Sequence, residues 1–200
     1  MKQAKNILCA SALAVVSQLA SAATNLVVEG GELIGATGVN VNGFLYDVSF
    51  SDGSCISLFG GCTSPSQFAF TDRTTALAAS QVLLDTVFLD SSRGQFDTSP
   101  ATLRGCESSE RCFVFTPFGF SVFEGLPDVA ASVAINEESL GDYATPGGIR
   151  PAADTSDFPN IAYAVFTAVS PVPEPARGLL LVAGLLAVAV RSVKLRQRAV

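Results

Sequence analysis

Histidine and tryptophan are both missing from these 200 residues, and methionine occurs once. Histidine is the usual proton shuttle near neutral pH. Its absence removes every Ser-His, Cys-His and histidine-metal mechanism at once. Positive charge is also scarce through the middle of the chain. Between Ala23 and Pro175 the only cations are Arg73, Arg93, Arg104, Arg111 and Arg150, and all eighteen carboxylates lie between Glu29 and Glu174. Five arginines against eighteen carboxylates leave that stretch at -13. Such a surface repels nucleic acid and anionic lipid and accommodates cations or neutral sugars. Nucleic acid is excluded as a partner. Also missing are a Gly-rich phosphate loop, a Gly-x-Ser-x-Gly elbow and the Asp-x-Asx-x-Asx-Gly spacing of an EF-hand.

What the middle lacks, the ends hold. Lys2 and Lys5 precede an apolar run from Ile7 to Val16, and Ala20-Ser21-Ala22 gives a small-x-small site. Residues 1–22 read as a signal peptide, cut by signal peptidase between Ala22 and Ala23, and Cys9 leaves with it. At the other end, Gly178 to Val190 carries no charged residue. At about 1.5 Å per residue this run spans roughly 20 Å, against a hydrocarbon core of roughly 30 Å. Arg177 and Arg191 can snorkel outward from such a short span. The cations that follow keep the tip (191–200) in the cytoplasm, and the signal peptide puts the domain (23–169) outside. A buried core helix is the alternative; the basic tip and the prolines ahead of the run argue against it.

Val172-Pro173-Glu174-Pro175, then a short apolar helix, then the basic cluster Arg191, Lys194, Arg196 and Arg198, resembles the PEP-CTERM sorting signal. The resemblance covers only the tail. It implies recognition by an exosortase, a membrane transpeptidase-like enzyme of Gram-negative bacteria, and cleavage near the Pro-Glu-Pro motif. It also implies an association with exopolysaccharide and biofilm material. The prolines suit such a role, because they hold a helix-incompatible peptide at the membrane surface. In this reading residues 170–177 are a proline-rich linker, 178–190 a short transmembrane helix, and the inner membrane a transient partner.

The stretch between the ends reads as α+β, a mainly antiparallel sheet with one packed helix over about 73–89. Asn42-Gly43 between apolar runs predicts a type I′ hairpin over Val39 to Phe50, with Phe44, Tyr46, Val48 and Phe50 on one face. Asp52-Gly53 marks a turn and Phe68 to Phe70 a short strand. Asp72 or Thr74 caps the helix, which sets Thr74, Gln81 and Asp85 opposite Ala76, Leu83 and Val87. Cys112 to Phe115, Phe118 to Phe123, Val129 to Ile135 and Ile161 to Val169 read as strands, and Pro146 to Pro159 as an irregular loop.

Four cysteines remain after signal cleavage, and in an exported chain an even number reads as disulfides, with three pairings open. Local pairing, Cys55-Cys62 and Cys106-Cys112, is expected, because each pair brackets a Gly- or Ser-containing loop. A four-thiolate zinc site is the rival, but neither spacing suits it. Carboxylates close in sequence, Glu137-Glu138 and Asp154/Asp157, are the candidates for a two-carboxylate hydrolase, with solvated surface as the plainer reading. Phe113, Phe115, Phe118, Phe120 and Phe123 suggest a sugar-stacking surface or, more simply, a buried strand pair. The expectation is an exported, non-enzymatic surface or matrix protein with no catalytic residue, cofactor or metal. A polysaccharide hydrolase or a Ca²⁺- or glycan-binding module is the alternative.

Overall fold

The computed structural model describes residues 23–170. The signal peptide with its Ala22-Ala23 junction, the motif Val172 to Pro175, the apolar run 178–190 and the basic cluster all involve residues outside the described range.

Among the described residues nine strands and two α-helices follow in order: β1 (Asn25–Glu29), β2 (Glu32–Val41), β3 (Phe44–Ser51), α1 (Cys55–Leu58), α2 (Arg73–Thr86), β4 (Asp90–Ser91), β5 (Gly94–Gln95), β6 (Arg111–Phe123), β7 (Leu126–Glu137), β8 (Tyr143–Ile149) and β9 (Ile161–Ala168). Short strands β4 and β5 form a separate ribbon; the other seven make one sheet in the order β1-β2-β3-β9-β6-β7-β8. Two antiparallel meanders, β1-β2-β3 and β6-β7-β8, are thus joined by the last strand. It pairs antiparallel with β3 and parallel with β6. The fold is α+β, mostly antiparallel, with one main helix.

Alternation along the strands builds two cores, because successive side chains point to opposite faces. Val114 and Ala134 share one core with Val48, Phe50 and Phe166 and with Leu83 of α2. Their neighbours Phe115 and Val133 face the other way, where α1 and the loop after it supply Cys55, Cys62 and Phe68. Each fully buried Val, Leu or Phe contributes roughly 1.5–3 kcal/mol by leaving water. Most of the stability resides in these two layers.

The expected hairpin is present, with Asn42 and Gly43 both at positive φ (53° and 91°), as a type I′ turn requires. Tyr46, Val48 and Phe50 turn inward along it, and Phe44 at its mouth stays exposed. Asp72 caps α2 by accepting the Thr75 amide at 2.8 Å. Ala76, Leu83 and Val87 are buried, and Thr74, Gln81 and Asp85 are exposed, as the sequence pattern requires.

Four expectations need correction. The helix stops at Thr86 with Val87 as its C-cap, and beyond it the buried Phe88 ring packs against Phe50, 5.4 Å between centroids. Phe68 to Phe70 is not a strand: it follows a 3-10 turn (Pro65–Gln67), and its two rings enter the two different cores. Cys112 to Phe115 and Phe118 to Phe123 are one strand, β6, which passes through Pro117. The register slips between Pro117 and Gly119, a bulge that accommodates a residue without an N–H. Finally, Pro146-Gly147-Gly148 lies inside β8, and only the residues beyond Ile149 are irregular. Strand β8 is a sheet edge, so Pro146 forfeits no ladder bond on its open side. A Cβ at Gly147 would come within 2.7 Å of Val133 Cγ2, so the glycine permits close strand approach.

Candidate functional site

At one end of the sheet, where β6 begins and β7 finishes, backbone pairing sets Arg111 opposite Glu137. Arg111 Nη1 lies 3.5 Å from Glu137 Oε1, and Glu137 is only 7% exposed. A carboxylate that deep needs a compensating charge, and this arginine supplies it. Glu138, one residue on, is exposed, and its amide donates to the Glu110 carbonyl at 3.0 Å. Glu110, Arg111, Glu137, Glu138, Ser139 and Leu140 line an open depression of about 270 Å³.

Beneath it the chain is pinned by polar bonds. Asp142 Oδ1 accepts the Glu137 amide at 2.9 Å. Burial raises the Asp142 carboxyl above its ordinary value, the Glu137 amide opposes this, and the neighbouring Asp97 adds to the rise. Asn136 is fully buried, and its Nδ2 donates to the Phe96 carbonyl at 2.7 Å. The end of β7 is thereby tied to the loop after α2.

The second acidic pair has a structural task. Asp154 caps a 3-10 turn (Thr155–Asp157) through Ser156, accepting from its amide at 3.1 Å and its hydroxyl at 2.7 Å. Thr155 is buried; its Oγ1 donates to Asp52 Oδ1 at 3.1 Å and accepts the Gly53 amide at 3.0 Å. Burial raises the Asp52 carboxyl, Thr155 opposes this, and Asp154, Glu107 and Glu32 add repulsion. Asp157 is exposed.

Both disulfides pair as expected. Cys55–Cys62 and Cys106–Cys112 have Cα separations of 5.6 Å and 5.8 Å, within the ordinary range for the bond. The zinc alternative is therefore removed for these thiols. Two disulfides mark the domain as extracellular or periplasmic. Among the described residues no group of three or more His, Cys, Asp or Glu side chains is placed to hold a metal ion. Nor is any helix there long and apolar enough to cross a membrane.

The phenylalanine tract divides. Phe115 is buried against Tyr163, and Phe113 and Phe118 are half-buried, as a strand pair predicts. Phe123 is exposed instead, near the tip of the β6-β7 hairpin, while Phe120 is partly exposed with its ring 5.6 Å from that of Phe68. Sequence reasoning missed this projecting tip. Its one signal was Glu124-Gly125 between apolar residues, a less common turn pair than Asn-Gly. Both residues have positive φ (52° and 77°). No family model, curated protein or solved structure matches the chain.

Proposed function

We propose that the chain is an exported protein, sorted by its C-terminal tail, whose domain is a non-enzymatic component of the cell surface or extracellular matrix. Signal peptidase and an exosortase are its processing partners, the inner membrane holds it briefly, and exopolysaccharide is the material with which it associates. The observation that carries this reading is the pair of local disulfides in an acidic domain, set between a signal-like N-terminus and the Val172 to Arg198 tail. Disulfides of this kind form and persist in oxidising environments, the compartment to which both ends would direct the domain. The net negative surface suits neutral, hydrated polysaccharide better than polyanions.

Mass spectrometry of the protein from an exosortase-proficient host tests it. The expected C-terminus falls at or beside Val172 to Pro175, and Glu174→Ala abolishes that cut. Recovery of surface protein with an intact Val200 overturns the reading.

One observation favours a hydrolase instead: Glu110, Glu137 and Glu138 border a single depression. Loss of polysaccharide cleavage in Glu138→Gln with unchanged melting would establish that alternative. A Ca²⁺- or glycan-binding module predicts a raised Tm with the ligand in excess.

A further inference from the structure

Four strongly exposed apolar side chains lie at the other end of the sheet from the acidic depression, where Leu140 is exposed as well. Val122 is 73% exposed, Phe123 60% and Leu126 55%, around the tip of the β6-β7 hairpin. Phe44, 70% exposed, stands at the mouth of the β2-β3 hairpin. Register places these side chains at one end. Tyr46 pairs with Ala168, so Phe44 lies just past the end of β9. Strand β9 runs parallel to β6, so it too points toward the hairpin tip. The chain therefore leaves the sheet at Ala168 from the end that carries the exposed apolar residues.

That tip is held in shape. Strand β8 ends at Ile149, which leaves the last carbonyls of the hairpin without a neighbouring strand. Arg150 takes its place: Nη1 donates to the carbonyls of Phe123 (3.3 Å), Leu126 (3.1 Å) and Pro127 (3.2 Å), and Nη2 donates to Phe123 at 3.3 Å. Asp128 lies 3.8 Å from the same guanidinium. Backbone polar groups that would resist entry into a less polar medium are thus already engaged.

We propose that this end of the domain is a bilayer-docking surface, in which Val122, Phe123, Leu126 and Phe44 enter the lipid interface while the chain is anchored. The proposal rests on the reading of 178–190 as a membrane segment. From Ala168 to Arg177 the chain reaches at most about 30 Å, so the tether holds the exit end close to the bilayer. The hairpin extends about four residues past Phe120, roughly 13 Å, and so spans under half of that reach. Glu124 at the turn carries the charge nearest the apex, so it limits how far the hairpin enters. The occupant is zwitterionic lipid, since an acidic domain is repelled by an anionic surface.

The absence of tryptophan makes the test direct. Phe123→Trp reports the tip and Leu140→Trp, 66% exposed in the β7-β8 connection at the far end, is the control. Each full chain is reconstituted into phosphatidylcholine vesicles, floated, and quenched with brominated phosphatidylcholine. The proposal expects both chains to float, and bromolipid to quench the tip tryptophan at least threefold more than the control. Flotation with equal quenching overturns the docking surface and leaves the anchor intact. A blue-shifted tip tryptophan that bromolipid does not quench assigns the patch to another protein segment and overturns the lipid assignment. Failure to float overturns the anchor, and the docking surface falls with it.

Discussion

Arg111 and Glu137 show how one side chain can be needed because of another. Glu137 lies almost wholly inside the protein, while Arg111 is 44% exposed and reaches over it. Arg111→Ala strands a buried carboxylate and is expected to cost about 2 kcal/mol. Adding Glu137→Gln should recover much of that loss, because the charge that needed compensation is gone. Urea denaturation of both variants checks it, and equal losses would show that the pair is not coupled. Asp142 gives a second residue-scale expectation, in pH. Burial raises its carboxyl in the folded state above the ordinary 3.8, so between 3.8 and the raised value the native protein holds more protons than the unfolded chain. Stability contributed by this group therefore falls as pH rises through that window. Asp142→Asn keeps an oxygen for the Glu137 amide and removes the buried charge. Its Tm should exceed that of the parent at pH 7 and converge with it near pH 3. Asp72 and Asp90 work in the opposite sense, since hydrogen bonds to their carboxylates lower both values, and their contribution is lost as pH falls below the ordinary range.

The elements differ in how plainly they could be read from the sequence, and the reason is local chemistry. Asn42-Gly43 announces its own turn, and Asp72 with the Ala76-Leu83-Val87 stripe announces α2, because caps and turns are satisfied within a few residues. Pro117 and Pro146 misled, since proline ends a strand only where its missing N–H would be needed. One sits at a bulge and the other on a sheet edge. Phe68 and Phe70 alternate as a strand would, yet they bridge two cores, which only the tertiary arrangement reveals. The disulfide pairing was legible because each pair brackets a short loop that contains Gly or Ser. For loops of six or seven residues, chain entropy gives each bridge about 2–3 kcal/mol. Replacing Cys106 and Cys112 together with serine should lower the unfolding free energy by that amount, measured in urea without reductant. A loss below about 0.5 kcal/mol would mean that the loop is held by other contacts, such as the bonds from the amides of Glu107 and Ser108 to the Pro159 carbonyl.

For the whole molecule, the proposed division of labour assigns address to the ends and task to the domain. Among the described residues, those up to Ala168 form one compact unit. The last strand closes the sheet by pairing with both meanders, so the domain is structurally complete before the tail begins. The acidic depression is one feature that sequence alone did not reveal, because Glu110 and Glu137 are brought together only by strand pairing. The most direct measurement compares the full chain with one that ends at Pro171, by membrane fractionation and thermal melting in the same host. The account predicts that the shortened chain is soluble and exported, melts within about 2 °C of the full chain and is lost from the membrane fraction, while the full chain is retained there and processed. Identical fractionation of the two, or a shortened chain that no longer folds, would contradict it.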